Sequence, residues 1–383
     1  MGGIFCIVWP METKVIKIEG PEMNSAQIKE AAEIIDAGGL VGFPTETVYG
    51  IACRVKSDSL AKLNEIKGRT ADKYYSLHIA KSEDVNKYVP TLNLRARKLI
   101  QNAWPGPLTA VFELEQKDID KQRKKIEREV FQNLYKENSI GIRCPDNSIA
   151  AALLQRTRNA IVAPSANVTG QSPATNAEQV LAELDGKIDM LLDGGPCKYQ
   201  KSSTVVKIGK LGLEILRHGV YSQLELEVLS QIKFLFVCTG NTCRSPMAEG
   251  IFKKYLAEKL RCEVDELERM GYKVSSAGIM GTAGYPASAE AIEVCATMGV
   301  DIGAHRNQAL TKELIEESDF IFAMEKIHMA SVTALEPNAG GRCVLLAGNK
   351  EIPDPIGMQR KFYENCAKLI EKAVQKRISE LEI

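Results

Sequence analysis

The sequence predicts an α/β protein with two domains. Its 383 residues exceed the usual size of one domain. Segments of strand character alternate along the chain with segments of helical periodicity, which predicts the α/β class in outline. The strongest local signal is Phe234–Ser245, where a short apolar strand runs into a Gly-Asn turn and then a helix start.

The composition excludes several kinds of protein. The formal net charge is zero, so no overall electrostatic field favours binding to nucleic acid or membranes, and any RNA contact must be local. The ten cysteines form no CxxC pair, which favours reduced thiols in a cytoplasmic protein over a disulfide framework or a zinc domain. The apolar patch Ile4–Trp9 lacks a basic flank and is too short for a signal peptide or a membrane span. We therefore expect no membrane association.

The first part of the chain has regular helix and strand signals. Gly38 and Gly39 stop the first helix, and the Trp104-Pro-Gly-Pro segment stops a later one. The predicted elements are helix Ser25–Ala37, strand Leu40–Phe43, a helix at Leu60–Lys67, strand Ser76–Ala80, helix Leu94–Ala103, strands Thr109–Leu114, Ser139–Arg143, Ile161–Ala163 and Thr204–Ile208, the segment Leu213–Arg217 and a connecting helix at Val220–Gln231.

One stretch of this part, Gln116–Asn138, is dense in Lys, Glu and Arg. An RNA-binding arm would carry mainly positive charge, whereas here both signs are mixed. The pattern therefore favours a solvated helical insertion.

Several motifs of the first part resemble one family over residues 25–222. They are PTETVYG (Pro44–Gly50), Lys67-x-Arg69, WPGP, SIGIRCP from Ser139, PSAN from Pro164, Ser203-Thr-Val and LRHG from Leu216. Together they resemble the Sua5/YciO/YrdC family of L-threonylcarbamoyladenylate synthases. The resemblance implies an α/β domain with a twisted mixed sheet. It also implies condensation of L-threonine, bicarbonate and ATP into threonylcarbamoyl-AMP and pyrophosphate, the first step of tRNA t6A modification.

The resemblance also implies site residues. The family's ATP contacts correspond to Lys67, Arg69, Lys73, Ser139, Asn167, Thr175 and Arg217. Its L-threonine pocket corresponds to Thr45, His78, Arg143, Ser165 and Ser203. Arg143 would pair with the carboxylate of threonine, and the cations would neutralise the triphosphate, with Mg²⁺ bound to ATP and no permanent cofactor. Lys73 stands where the family has an Asn, which departs from its pattern.

The segment around Cys238 predicts a phosphate-binding loop with a nucleophile. The thiol follows a buried strand, and the backbone N–H groups of Thr239, Gly240, Asn241, Thr242 and Cys243 can form an anion-binding nest. The helix that starts near Ser245 and Pro246 points its positive end at the same place, so we expect the thiol to ionise easily. Arg244 supplies a planar fork for two phosphate oxygens, and Ser245 can hydrogen-bond the sulfur.

Residues 233–383 resemble the low-molecular-weight protein tyrosine phosphatases. The matching segments are CTGNTCRSPMAE from Cys238, SSAG from Ser275, a predicted helix start at Gly299–Ile302, and IPDP from Ile352. The resemblance implies a doubly wound parallel sheet. It also implies catalysis by Cys238, Arg244 and Asp354, with a phosphocysteine intermediate and with Asp354 as acid and then base.

Two details inside these motifs bear on the substrate. Thr242 stands where tyrosine-selective members have a bulkier Ile, and it is similar to the residue of protein arginine phosphatases. Ile356 and Gly357 follow the Asp-Pro pair where tyrosine-selective members place aromatic residues. We therefore favour phosphoarginine over phosphotyrosine. An arsenate reductase would need a later pair of resolving cysteines, which the scattered Cys295, Cys343 and Cys366 do not suggest.

The remaining thiols and histidines are assigned simpler roles. Cys243 lies five residues from Cys238 and is expected to form a reversible disulfide with it. His218, His305 and His328 are assigned to structure or surface.

The sequence thus predicts an extension at 1–24, a synthase domain at 25–222, a linker at 223–232 and a phosphatase domain at 233–383. The expected partners are ATP, L-threonine, bicarbonate, a phosphoprotein and the downstream t6A transferase machinery, with RNA binding as a local option. The alternative is a phosphotyrosine phosphatase joined to a degenerate RNA-binding module.

Overall fold

The computed structural model describes residues 12–18, 25–69, 75–209 and 212–383. Lys73 and the patch Ile4–Trp9 lie outside the described residues. The chain divides into two compact units between Leu229 and Ser230, and the segment Asn93–Lys98 is grouped with the second unit. Each unit is described by itself below.

The first unit is built on a ten-stranded mixed sheet of order β1-β8-β2-β3-β7-β4-β6-β5-β9-β10. Its parallel pairs include β5 with β9, and its antiparallel pairs include β5 with β6. The strands are β1 Lys14–Lys17, β2 Val41–Phe43, β3 Gly50–Arg54, β4 Leu77–His78, β5 Leu108–Glu113, β6 Ser139–Arg143, β7 Ile161–Val162, β8 Met190–Asp193, β9 Thr204–Gly209 and β10 Gly212–Arg217.

The helices up to residue 230 follow the periodicity of the sequence. Ile28 and Ile35 of the first helix and Leu153 of a later one are fully buried against Phe43 of the sheet, which explains the apolar spacing of these segments. The helices are α1 Ser25–Ala37, α2 Ser57–Lys67, α3 Leu94–Ala103, α4 Gln116–Lys125, α5 Arg128–Leu134, α6 Ser148–Arg156, α7 Ala177–Leu184 and α8 Gln223–Ser230, with a 3-10 turn at Ser82–Lys87.

The second unit is a doubly wound sheet of four parallel strands in the order β12-β11-β13-β14. Its strands are β11 Ile232–Cys238, β12 Tyr272–Gly278, β13 Phe320–Ala323 and β14 Cys343–Leu345. Its helices are α9 Arg244–Leu260, α10 Ala289–Thr297, α11 Lys312–Glu317, α12 Lys326–Leu335 and α13 Arg360–Glu380, with 3-10 turns at Val264–Glu266 and Pro337–Gly341.

Strand β11 shows why helices cover both faces of this sheet. Phe234 and Phe236 enter one apolar cluster, while Leu235 and Val237 enter another. Side chains alternate across a strand, so a continuous apolar run places a core on each side of the sheet. The run therefore fixes β11 as a buried central strand that ends at Cys238.

Several sequence-based expectations differ from the structure. The strand predicted at Ser76–Ala80 is reduced to Leu77–His78, and the predicted connecting helix Val220–Gln231 covers only Gln223–Ser230. The Gly299–Ile302 segment does not start a helix: it follows the end of α10, and Gly299 has a φ of 68°. A φ in this range ends helices and favours glycine.

The charged insertion is helical, as expected, and forms two helices, α4 and α5. Part of its surface is buried instead of solvated. Ile119, Val130 and Leu134 are buried, and the Tyr135 hydroxyl donates to the carbonyl of Tyr88 at 2.8 Å. These apolar positions alternate with charged residues, so the high charge of the segment made its buried face hard to predict from the sequence.

Among the described residues, no helix is both long enough and apolar enough to cross a membrane.

Candidate active sites

The first unit contains a cavity of about 720 Å³ that lies across strands β5, β6, β9 and β10. Most of the site residues expected from the sequence line it, although they come from distant parts of the chain. They are Thr45, Lys67, Arg69, His78, Ser139, Arg143, Asn167, Ser165, Ser203 and Arg217. Thr175 does not line this cavity, and its hydroxyl and N–H donate to Gln179 of α7.

Three buried side chains lining this cavity have a polar atom without a partner among the described residues. These atoms are His78 Nε2, Arg143 Nε and Asn167 Oδ1. Both N–H groups of Asn167 donate to carbonyls, those of Val168 and Gln171, each at 2.8 Å, so the amide orientation is fixed. Buried polar atoms are almost always hydrogen-bonded in folded proteins, so three of them in one cavity indicate a polar ligand.

His78 is held in one tautomer. Its Nδ1 lies 3.2 Å from the carbonyl of Ser76, which can only accept, so Nδ1 carries the hydrogen and Nε2 is an acceptor. Burial, together with the charge of Arg143, lowers the pKa of His78 to about 3. The ring is therefore neutral at physiological pH and offers a lone pair to the cavity.

Arg143 is already anchored within the protein. Its Nη2 donates to Glu46 at 2.9 Å and to Thr47 at 2.6 Å, and both Arg143 and Glu46 are buried. The sequence expectation paired this arginine only with a ligand carboxylate. The anchoring fixes the guanidinium in place while Nε keeps a donor in reserve.

The positively charged side chains of the cavity repel one another. Burial and the charge of Arg69 lower the pKa of Lys67 to about 8, and burial and the charge of Arg143 lower the pKa of Arg217. Lys67 also donates to the carbonyls of Ser165 and Asn167, each at 2.6 Å. A polyanionic ligand would relieve this repulsion.

Sequence reasoning missed part of the cavity wall. Leu134, Lys136 and Glu137, at the end of the charged insertion, line the cavity. The ring of Tyr75 also lines it and lies 4.3 Å below the guanidinium of Arg69. The turn after α5 that brings these residues to the cavity, where Glu137 has a φ of 48°, is evident only from the structure.

In the second unit, the loop from Cys238 to Ser245 closes around the thiol. Ser245 Oγ lies 2.9 Å from Cys238 Sγ, and the N–H of Asn241 donates to the same sulfur at 3.2 Å. Ser245 Oγ accepts a hydrogen bond from Asn241 Nδ2 at 2.8 Å, which leaves the serine hydrogen available for the sulfur. Asn241 has a φ of 54°, so its side-chain bonds hold the loop in a left-handed turn.

A glycine allows this loop to sit against the sheet. A Cβ on Gly278 would lie 2.9 Å from backbone atoms of Thr239, Gly240 and Asn241. The SSAG motif that ends β12 therefore serves close packing beneath the loop.

The sequence predicts that the Cys238 thiol ionises easily, but burial in the structure opposes its ionisation. Burial raises the pKa of the Cys238 thiol, while hydrogen bonds from Ser245 and Asn241 and the charge of Arg244 act in the opposite direction. The positive charge of Arg244 is also largely compensated, because its Nη1 donates to Glu325 and its Nη2 donates to Asp354. The sequence revealed the arginine but not the distant Glu325 that partly neutralises it.

Arg244 organises the site from the interior. Only 1% of the residue is exposed, and its Nη1 also donates to the carbonyl of Ile352 at 3.0 Å. This contact brings the Ile352–Pro355 segment, and with it Asp354, to the phosphate loop. The thiol, guanidinium and carboxylate predicted from separate motifs thus converge.

The rim of this loop differs on its two sides. Thr242 is half-buried, while Ile356 is 63% exposed and Gly357 lies in a left-handed turn. Tyr285, also 63% exposed, is tied to the loop because Asn307 accepts from its N–H and donates to the carbonyl of Gly240. Tyr285 belongs to none of the motifs identified in the sequence.

Cys243 is a thiol in the structure, and its sulfur donates to Ser288 Oγ at 3.3 Å. The disulfide with Cys238 stays a prediction.

The chain has two α/β domains. One contains a polar cavity and the other a phosphate-binding loop with a cysteine, and both kinds of site are typical of enzymes. The Sua5_yciO_yrdC family model, described as telomere recombination, matches residues 33–219. The model of the low molecular weight phosphotyrosine protein phosphatases matches residues 233–382. The chain belongs to both families, to the first through its N-terminal domain and to the second through its C-terminal domain.

Individual relatives agree with this division. The chain is 30% identical over 279 residues to the threonylcarbamoyl-AMP synthase of Pyrococcus abyssi, covering 68% of this chain and 78% of the relative. It is 38% identical over 160 residues to the low molecular weight protein-tyrosine-phosphatase Etp of Escherichia coli K12, covering 39% and 99%. The crystal structure of P. abyssi Sua5 complexed with L-threonine matches with a TM-score of 0.50 and 20% identity, covering 95% and 98%, which shows the fold alone.

Proposed function

We propose that the chain is a bifunctional enzyme. Its first domain condenses L-threonine, bicarbonate and ATP into threonylcarbamoyl-AMP and pyrophosphate, and its second domain hydrolyses a phosphoprotein through a phosphocysteine. The observation that carries the first activity is a set of three buried polar atoms, His78 Nε2, Arg143 Nε and Asn167 Oδ1, that have no hydrogen-bond partner within the described part of the chain and lie in a cavity lined by cations.

Each of these groups suits one part of the substrates. Arg143 can donate to the threonine carboxylate, and the neutral His78 can accept from the amino or hydroxyl group of threonine. Asn167 Oδ1 can accept from an N–H of the nucleotide. Lys67 and Arg217 carry the positive charge that a triphosphate and its departing pyrophosphate require.

Magnesium enters, on this proposal, with ATP. Among the described residues, no group of three or more His, Cys, Asp or Glu side chains is placed to hold a metal ion. The triphosphate oxygens would therefore be the principal ligands of Mg²⁺, and the ion would help to neutralise them. The product would pass to the t6A transferase machinery, with any RNA contact local.

The synthase is tested by pyrophosphate release from ATP in the intact protein, with and without L-threonine and bicarbonate. Release that depends on threonine is the expected result, and Arg69→Ala and Arg143→Ala should abolish it. Threonine-independent release, or none in a protein whose phosphatase is active, would favour the alternative of a degenerate RNA-binding domain. Full activity in either arginine variant would reject the assigned site.

The phosphatase activity rests on the convergence of Cys238, Arg244 and Asp354 on one loop. The thiolate of Cys238 attacks phosphorus and forms an S–P bond, while the bond from phosphorus to the leaving group breaks and protonated Asp354 gives that group its proton. The oxygen of a water molecule then attacks phosphorus as Asp354 takes a proton from that water, and the S–P bond breaks, which releases phosphate and restores the thiolate. Arg244 and the loop N–H groups hold the equatorial oxygens.

The favoured substrate of the second domain is phosphoarginine. Thr242 provides a hydroxyl at the rim where a guanidinium could donate, and Pro355 is followed directly by Ile356 and Gly357 instead of an aromatic residue that could stack on a phenol. Tyr285 could stack on either group and does not discriminate. The test compares kcat/KM for matched peptides that carry phosphoarginine or phosphotyrosine, and a preference for phosphotyrosine would overturn the assignment.

A further inference from the structure

His328, at the start of α12, is fully buried beside the phosphate loop although no motif contains it. Its Nδ1 lies 3.0 Å from the backbone N–H of Glu325, which can only donate. Nδ1 is therefore an acceptor, and the ring hydrogen of the neutral imidazole is on Nε2. Burial and the charge of Arg244 lower the pKa of His328 to about 4, in keeping with a neutral ring.

This tautomer determines the role of Thr239. His328 Nε2 lies 3.0 Å from Thr239 Oγ1 and must donate to it, and Arg244 Nη2 donates to the same oxygen, also at 3.0 Å. A hydroxyl oxygen has two lone pairs and one hydrogen. Both lone pairs are occupied, so Thr239 can take part in one further hydrogen bond only as a donor.

The described part of the chain supplies no acceptor for that hydrogen. Among those residues, Thr239 Oγ1 is hydrogen-bonded only to His328 and Arg244. The side chain is half-buried, directly follows the nucleophile in sequence, and contacts the guanidinium nitrogen that also holds Asp354. A donor in this position suits an anionic oxygen at the centre of the loop.

We infer that the hydroxyl of Thr239 donates to a phosphoryl oxygen of the substrate, and that His328 is a positioning residue that fixes the direction of this donor. The inference rests on the proposed phosphatase function and adds a side-chain donor to the backbone N–H groups of the loop. His328 acts only through Thr239 and does not contact the substrate.

The first experiment compares Thr239→Val with Thr239→Ser in the full chain. Valine removes the donor at nearly constant shape, and serine retains it. Thr239→Val should lower kcat/KM for an aryl phosphate and weaken inhibition by inorganic phosphate, each by roughly 10- to 100-fold, the range for a hydrogen bond to a charged group. Thr239→Ser should stay within about threefold of the unchanged protein, since it keeps the charge-assisted bond.

The second experiment separates the two nitrogens of His328. His328→Asn places an amide oxygen near Nδ1, which keeps the acceptor for Glu325 and removes the donor to Thr239. His328→Gln places an amide nitrogen near Nε2 and keeps that donor. We expect His328→Asn to weaken inorganic phosphate binding and His328→Gln to restore most of it.

A double variant tests whether the two residues act as one unit. In the Thr239→Val background, His328→Asn should cause no further loss, because the donor that it orients is already absent. Losses that multiply would overturn the positioning role. A Thr239→Val protein with lower kcat but unchanged inhibition by inorganic phosphate would show that the hydroxyl serves Asp354 instead, which would overturn the phosphate contact. An unchanged protein that neither hydrolyses aryl phosphate nor binds phosphate would reject the phosphatase function itself.

Discussion

In the first unit, His78, Arg143 and Asn167 each keep unused hydrogen-bonding capacity toward the cavity, whereas in the second unit Arg244 is paired with two carboxylates of the protein. On the proposed function, binding in the first unit would satisfy polar atoms that have no partner among the described residues. Binding in the second unit would exchange an internal ion pair for one with the ligand. A cluster of cations therefore indicates an anion-binding site only when the protein groups that already pair with those cations are also known.

The two sites also differ in how they are assembled. Eight consecutive residues, Cys238–Ser245, carry the nucleophile and the clamp of the second site. The first site collects side chains from Thr45 to Arg217, on several strands and the turns between them. The predictions below test whether these differences in pairing and assembly have functional consequences.

The largest expected effect separates the two sites completely. Cys238→Ser removes the nucleophile and should lower phosphatase turnover by at least about 10⁴-fold. Threonine-dependent pyrophosphate release should be unchanged in the same protein, since no residue of the first cavity is altered. Hydrolysis of an aryl phosphate and pyrophosphate release are measured on one preparation, and a parallel loss of both activities would contradict two independent sites.

The exchange of ion pairs in the second site is tested by Asp354→Asn. Loss of the general acid should lower kcat by about 10²- to 10⁴-fold. Inhibition by inorganic phosphate should become stronger, because Arg244 no longer shares its charge with Asp354. Ile356→Ala, at an exposed position of the same segment, serves as the control variant. Weaker phosphate inhibition in Asp354→Asn would show that the carboxylate does not compete with the ligand.

Both units bury a neutral histidine, which predicts a shared response to acid. The folded pKa values, about 3 for His78 and about 4 for His328, lie below the usual 6.5, so between about pH 6.5 and 4 the unfolded chain binds more protons. Stability should fall with falling pH by up to about 1.4 kcal/mol per pH unit for each histidine. Denaturant unfolding from pH 7 to 4.5 measures this slope.

The matched variants assign the slope to each unit. His78→Gln should flatten the pH dependence of the first unit, and His328→Gln that of the second. A slope that persists unchanged in both variants would mean that other groups cause the acid sensitivity.

The smallest expected effect concerns the rim of the phosphate loop. Thr242→Ile should shift the ratio of kcat/KM values by several-fold toward aryl phosphates, because a larger apolar side chain favours an aromatic leaving group by about 1 kcal/mol or more. The measurement uses paired phosphoarginine and phosphotyrosine peptides, with Thr242→Ser as the control that keeps the hydroxyl. An unchanged ratio would remove Thr242 from the argument on specificity.

The sequence predictions succeeded for features that depend on neighbouring residues and failed for features that depend on contacts between residues distant in sequence. Helices Ser25–Ala37 and Leu94–Ala103 and strand Ser139–Arg143 were predicted with the bounds that the structure shows, since their periodicity and stop signals are local. The insertion was predicted to be helical, but its buried positions were not foreseen, because burial of Ile119 and Leu134 depends on partners elsewhere in the chain.

Residue spacing and intrinsic chemistry were enough to predict the α/β class, the strand-loop-helix around Cys238 and the kinds of residue that could serve each ligand. The pairing of these groups with one another became known from the folded structure. Glu325 and Asp354 lie 81 and 110 residues from Arg244, His328 lies 89 residues from Thr239, and Glu46 lies 97 residues from Arg143. Contacts over such distances are set by the packing of whole elements, and they fix the charge state and hydrogen-bonding direction of the side chains that the motifs supply.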